Sequence, residues 1–226
     1  FLMPALNVDS SRQKTHLPFF PWRDDDGPDA ALATLLEASG LPQSPSVVID
    51  ETMRADFALL LLDALPGASR RFTDDPVDFL RARKEEDEYR RLKASAVLND
   101  TAAMAGFDAL TPGITELEIA AVIRDVYKQA GATPVFTSVC FGGNGAFPHH
   151  HTGETQLKAG DAVLIDTGGR LEGYPSDMTR VGFFGTPTAE FEKVHAIVNK
   201  AVEAALAAAK PGVLAKSIDK AARDVI

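Results

Sequence analysis

The sequence of 226 residues contains a single cysteine, Cys140, so no disulfide can form within it. Nothing in its residues points to an oxidising compartment, and the cytoplasm is the expected location. Cys140 stands in the apolar run "VFTSVCF", where cysteine serves as a small core residue rather than a reactive thiol. Long apolar runs are also missing. The longest, "FALLLLDAL" and "AALAAA", fall well short of the roughly 18 residues that a membrane helix needs, so no membrane partner is expected. Positive charge is in deficit: 23 Lys and Arg against 32 Asp and Glu leave a formal net charge of −9. The basic residues are interleaved with acids, which excludes the basic face that a nucleic-acid partner requires. The sequence opens on Phe1, without Met and without a signal-peptide pattern, and a chain continuing upstream is expected.

What is present is a 45% apolar content, enough to fill one large core or two ordinary ones. The first third alternates strand-like "FLMPAL", a Pro-broken loop with Trp22, helix-like "PDAALATLLEASG", strand-like "SVVID", helix-like "MRADFALLLLDALPG" and a short "SRRF". That rhythm predicts a partial α/β domain over residues 1–75, bounded by the acidic, Pro-containing "TDDPVD" at 73–78. From residue 76 to 226 the character changes. A long charged helix, "DFLRARKEEDEYRRLKASAVLNDTAAMAGFDAL", carries acids and bases at i,i+3 and i,i+4 spacing, the mark of a solvated face. A second helix starts at "TELE", where Thr115 and Glu118 have capping-box spacing, and ends near Gly131. Strands follow at "PVFTSVCF", "DAVLID" and "YPSDMTRVGFF", and the Ala-rich remainder from about 188 returns to helix.

An internal echo runs through this second region. "TPGITELEIAAVIRDVY" (111–127) lies over "KPGVLAKSIDKAARDVI" (210–226), matching Pro112 with Pro211, Gly113 with Gly212, and the Arg-Asp-Val at 124–126 with that at 223–225. The second half of the domain therefore reads as a duplicate of the first. Strands equivalent to those at 133–184 would lie beyond residue 226, so a chain truncated at both ends is expected.

Two aspartates, Asp166 and Asp177, flank the turn residues "GGRLEG". Folding a hairpin about their midpoint makes them direct cross-strand partners on one face, an arrangement that like charges destabilise. Three resolutions are open. Arg170 and Arg180 could neutralise them separately, the pair could share a proton, or a divalent cation could sit between them with further ligands from elsewhere. "GGNGAF" at 142–147 reads as a turn before a run of three histidines rather than as a phosphate loop, since no helix start follows it.

"LIDTGGRLEGYPSDMTR" resembles the aspartate motif of the pita-bread metallopeptidases, the family of aminopeptidase P, prolidase, methionine aminopeptidase and the metal-free creatinases. "PHHHTGETQLKAGDAVLID" is similar to the family's upstream segment, with His149 seventeen residues before Asp166. The resemblance implies an α+β pita-bread catalytic domain, truncated here, behind the partial α/β domain. It implies that Asp166 binds one metal, Asp177 bridges two, and His149 contacts substrate or steadies the tetrahedral intermediate. The implied cofactors are two divalent ions, Mn²⁺, Co²⁺ or Zn²⁺, with one His and two Glu ligands beyond residue 226. Residues 1–226 alone would then be inactive. The implied activity is hydrolysis of Xaa-Pro dipeptides by a hydroxide held between the ions. Aminopeptidase P action on longer Xaa-Pro peptides, or a non-catalytic peptide-binding role, are the alternatives. A homodimer is expected by the same analogy.

Overall fold

The computed structural model describes residues 1–73 and 77–226. The boundary expected between 75 and 76 falls on residues 74–76, outside the described residues. The chain divides into two compact units, Phe1–Lys84 and Glu85–Ile226.

The first unit runs β1 (Leu2–Pro4), α1 (Val8–Arg12), β2 (Phe20–Trp22), α2 (Asp29–Ala38), β3 (Ser46–Ile49), α3 (Ala55–Ala64), β4 (Ser69–Phe72) and α4 (Phe79–Arg81). Strands β1 and β2 pair in parallel, Leu2 opposite Phe20, and so do β3 and β4, Ser46 opposite Ser69. Each pair is joined across a helix, because parallel neighbours cannot be linked by a tight turn. The alternation expected from sequence is thus present, with one difference: the Pro-broken stretch around Trp22 holds a strand. Pro21 lacks an N–H, and a two-stranded ladder has an open edge that tolerates this.

The second unit begins with α5 (Glu86–Asp108) and α6 (Glu116–Gln129). The single long helix expected from residue 78 is broken before α5. Glu85 takes an extended conformation, and its N–H donates to the Glu88 carboxylate at 2.9 Å, so a new helix start forms inside the charged run. Helix α6 starts as its spacing predicts: the Glu118 N–H donates to Thr115 Oγ1 at 3.2 Å, and the Thr115 N–H to Glu118 Oε2 at 2.8 Å. Gly131 closes it at φ 72°.

The sheet that follows is β5 (Thr133–Phe141), β6 (Ala162–Leu171), β7 (Tyr174–Pro175) and β8 (Met178–Phe183), with β6 in the centre, antiparallel to β5 on one side and to β7 and β8 on the other. Along β6, Val163, Ile165 and Thr167 are buried, alternating with half-buried Leu164 and Asp166. Val163 and Ile165 pack with Ile119, Ile123 and Tyr127 of α6 and Ala102 and Ala103 of α5 in one apolar core. Period-two alternation therefore turns Asp166 to the face away from the helices.

The hairpin register departs from the one expected. Leu171 pairs with Tyr174 across a two-residue turn, Glu172 at φ 50° and Gly173 at φ 86°. Both residues are left-handed, the backbone that two-residue hairpins favour. Gly168 and Gly169 are not turn residues but lie within β6. A Cβ on Gly168 would stand 2.3 Å from the Ser176 carbonyl oxygen and 2.5 Å from the Phe136 ring, and one on Gly169 would stand 2.7 Å from the Tyr127 ring. Close approach, not chain reversal, is what these glycines permit.

Helices α7 (Ala189–Ala208) and α8 (Ala215–Arg223) complete the unit and pack on each other. They repeat α5 and α6. Gly113 and Gly212 make the same left-handed turn, at φ 84° and 83°, ahead of helices that start at Glu116 and at Ala215. The echo in the sequence is therefore an echo of structure in the glycine turn and the helix that follows it. Among the described residues no helix is long and apolar enough to cross a membrane.

Gly168→Ala is expected to lower unfolding stability by about 2–3 kcal/mol, because backbone and an aromatic ring block the new methyl. Gly145→Ala, whose Cβ would meet nothing closer than 3.8 Å, is expected to change it by less than about 0.5 kcal/mol. Urea unfolding of both variants checks this, and equal losses at the two positions would contradict the packing argument.

Candidate functional site

Asp166 faces outward from β6 with Ser138 of β5 and Thr179 of β8 as its cross-strand partners. The Thr179 hydroxyl donates to Asp166 Oδ1 at 2.8 Å. Asp177 lies in the two-residue gap between β7 and β8 and is exposed. It is not opposite Asp166, as folding about the midpoint of the two predicts. The ladders on either side of the gap share one register, Arg170 with Pro175 and Thr167 with Met178, so Ser176 and Asp177 stand opposite Gly169 and Gly168. The Ser176 N–H donates to the Gly169 carbonyl at 2.8 Å, in keeping with that register. The aspartates are therefore diagonal neighbours, two positions offset, at a Cα separation of roughly 7–8 Å for such pairs. The shift is even, so both keep the same face. A diagonal pair also repels less than a direct one.

Neither arginine neutralises them. The Arg180 guanidinium reaches Asp100 at 3.7 Å, and Arg170 donates to the Gly173 carbonyl at 3.3 Å. Among the described residues no ion pair engages Asp166 or Asp177, and no group of three or more His, Cys, Asp or Glu side chains is placed to hold a metal ion. Two hard oxygen donors on one face, without a cationic partner, fit one side of a divalent-ion site and need ligands from elsewhere to complete it. Cys140 shares the outward face of β5 with Ser138. Burial pushes its thiol up, with Glu116 and Asp166 nearby adding to the effect, so it stays protonated and inert, as the sequence indicates.

His149 is exposed, in a turn that follows the 3₁₀ segment Gly142–Ala146. No hydrogen bond or ion pair among the described residues joins it to either aspartate. Its neighbour His150 is half-buried, with Nε2 2.9 Å from Glu116 Oε2. Sequence reasoning missed Glu116, which looks like one of two first-turn acids on α6, no different from Glu118. In the fold it is fully buried and is the hub of the histidine segment. Its Oε1 accepts from the Phe141 N–H at 2.8 Å and from Asn144 Nδ2 at 2.8 Å, and its Oε2 accepts from the Gly153 N–H at 3.0 Å. Burial alone would raise the Glu116 carboxyl. The Asn144 amide, the His150 ring and the Phe141 and Gly153 N–H groups outweigh burial and hold it below its ordinary 4.5.

Behind Asp166 lies a second polar cluster that sequence reasoning did not find. Asn99 Nδ2 donates to the Thr167 carbonyl at 3.1 Å, and the Tyr127 hydroxyl donates to Asn99 Oδ1. Burial holds the Tyr127 hydroxyl above its ordinary range, against hydrogen bonds to Thr167 and Ser176, so it remains a donor. These bonds tie α5 and α6 to β6 at the residue next to Asp166.

The pattern of metallopeptidase family M24 matches residues 90–226. The chain is 35% identical over 207 residues to the probable dipeptidase PepE of Mycobacterium tuberculosis, covering 91% of this chain and 54% of that protein. Among solved structures it is similar to dipeptidase PepE from Mycobacterium ulcerans, with a TM-score of 0.87, 32% identity and coverage of 99% of this chain and 60% of that one. It is also similar to the prolidase from Pyrococcus horikoshii, with a TM-score of 0.82, 27% identity and coverage of 99% and 62%. The chain spans about half the length of the curated relatives it matches.

A carboxyl held below its ordinary value in the folded state stabilises fully above the unfolded value and loses that contribution as pH falls through the folded one. Acidification from about pH 5 to 3 is therefore expected to destabilise the wild type more steeply than Glu116→Gln, which has no proton to take up. Urea unfolding across that range checks it, and parallel profiles would contradict the assignment.

Proposed function

The chain belongs to metallopeptidase family M24 and has the family's α+β pita-bread fold, and from that premise we propose that the protein hydrolyses Xaa-Pro dipeptides in the manner of a prolidase. The observation that carries the reading is the pair Asp166 and Asp177, on one face of the β6–β8 hairpin and without a cationic partner among the described residues. Supporting it are the relatives, whose names are dipeptidase and prolidase over nearly the whole chain.

In this reading Asp166 and Asp177 hold divalent ions, with Mn²⁺, Co²⁺ and Zn²⁺ all suited to oxygen and imidazole donors. Ions of this kind polarise a scissile carbonyl and lower the pKa of water from 15.7 to about 7. The rest falls to the side chains. The Thr179 hydroxyl orients Asp166 by donating to Oδ1, and Oδ2 would serve the ion. Asp177, exposed at the mouth of the hairpin, is open to a second ion. His149, on its exposed turn, donates to the substrate carbonyl oxygen as charge develops there.

In the full-length protein, Asp177→Asn is expected to cut bound divalent ion from about two per chain to below one. Gly-Pro hydrolysis should fall about a thousandfold or more, near 4 kcal/mol of barrier, with little change in thermal stability. Metal analysis and dipeptide kinetics measure both. Normal turnover by the variant would remove the bridging role. Faster cleavage of Xaa-Pro tripeptides than of Gly-Pro would assign aminopeptidase P activity instead, and a wild type with neither metal nor hydrolysis would be a peptide-binding member of the fold.

A further inference from the structure

The buried carboxylate of Glu116 is used by nothing in that mechanism, yet it is the most heavily bonded acid in the second unit. All four of its donors belong to residues 141–153, the stretch that carries His149: the end of β5, the 3₁₀ segment, the histidine run and Gly153. A carboxylate is acceptor-only, and here each oxygen receives two donors, so its capacity is matched to the segment rather than to the helix it starts. The helix does not require it. At the corresponding place in the second helix pair the residue is Ala215, and α8 starts there after the same glycine turn.

The histidine segment has other anchors, at its flanks and within it: the His150 N–H donates to the Phe147 carbonyl at 3.1 Å across the turn, and Asn144 Nδ2 also donates to Thr155 Oγ1 at 3.0 Å. The Val139 N–H donates to Thr152 Oγ1 at 2.8 Å, and the N–H groups of Glu116 and Leu117 donate to the carbonyls of Thr155 and Gly153 at 3.1 Å each. Among the described residues only the Glu116 side chain reaches both Asn144, before His149, and His150, directly after it. Fixing the residues on both sides fixes the turn between them, while His149 itself stays exposed.

We infer that Glu116 is a positioning residue for His149: its carboxylate clamps the segment on both sides and sets where the exposed imidazole meets the substrate. The inference rests on the prolidase-like reading for its consequence in catalysis. The clamp itself is measurable without it. Glu116→Gln keeps the shape of the side chain but turns an NH₂ group toward one pair of donors, opposing N–H with N–H. The metal-binding aspartates lie on β6 and the hairpin gap, so ion content is expected to stay as in the wild type.

The test is a double-mutant cycle in the full-length, Mn²⁺-loaded protein with Gly-Pro as substrate, combined with amide hydrogen exchange. Glu116→Gln alone is expected to lower kcat about tenfold to a hundredfold, the effect of misplacing one catalytic group, at unchanged metal stoichiometry. In a His149→Ala background the same change is expected to alter the residual kcat by less than about twofold, since the group it acts through is gone. Exchange across 142–153 is expected to accelerate while the middle of α6 stays protected. Equal losses of kcat in both backgrounds would overturn the inference, as would unaltered exchange in the segment. If Glu116→Gln fails to fold, Asn144→Ala removes one donor at a half-buried site and must give the same pattern with a smaller loss; additive losses there would overturn it as well. A wild type that hydrolyses no Xaa-Pro substrate while Glu116→Gln still loosens the segment would retain the clamp and remove the prolidase reading, so the two fail separately.

Discussion

The constraint on which the structure depends is the register of one hairpin. Two left-handed residues, Glu172 and Gly173, close the turn, and every pairing from Arg170 with Pro175 back to Ala162 with Phe183 follows from it. In a β-ladder the side-chain period is two, so a slip of one residue would send Asp177 to the helix side of the sheet. The observed register also sets Gly168 against the Ser176 carbonyl oxygen, 2.3 Å from where a Cβ would stand, so this pairing requires a glycine there. Turn chemistry and this close approach are both met by the observed register.

The sheet separates its two jobs by face. The inner face of β6 carries Val163, Ile165 and Thr167 into the core with α5 and α6, where Asn99 and Tyr127 satisfy the polar groups that burial would otherwise leave unpaired. The outer face carries Asp166, half-buried and held by Thr179. Rigidity is supplied from behind, so the acidic residue in front need not be part of a stabilising ion pair. The same logic applies to the histidine segment. Its orientation is set by the buried Glu116 on one side while His149 is left free on the other.

Much of this was legible in the residues, for identifiable reasons. The capping box at Thr115 and Glu118, the strand "SVVID", the helix "MRADFALLLLDALPG" and the repeated Pro-Gly turn are local signals, and each is found where the sequence places it. The facing of Asp166 and Asp177 was legible up to an even shift, since periodicity fixes parity but not which residues form the turn. Glycines at 168 and 169 read as turn residues because, without a structure, the rings of Phe136 and Tyr127 that need their space are invisible. The break before α5 was missed because Glu85 and Glu88 look like two more charges in a charged run. Glu116 was missed for a related reason: a first-turn acid is usually solvated, and its burial arises only when a segment some thirty residues later folds over it. Its replacement by Ala215 in the internal repeat was the available hint that it is not there for the helix.

In the proposed mechanism Asp166 and Asp177 grip the same cation pair. Anomalous diffraction at the manganese edge from crystals of the Mn²⁺-loaded full-length protein measures this directly. The predicted result is strong density on the outer face of the hairpin, with oxygens of both carboxylates at coordinating distances of roughly 2.0–2.6 Å. Density that touches only one of the two aspartates, or metal bound away from this face, would contradict it.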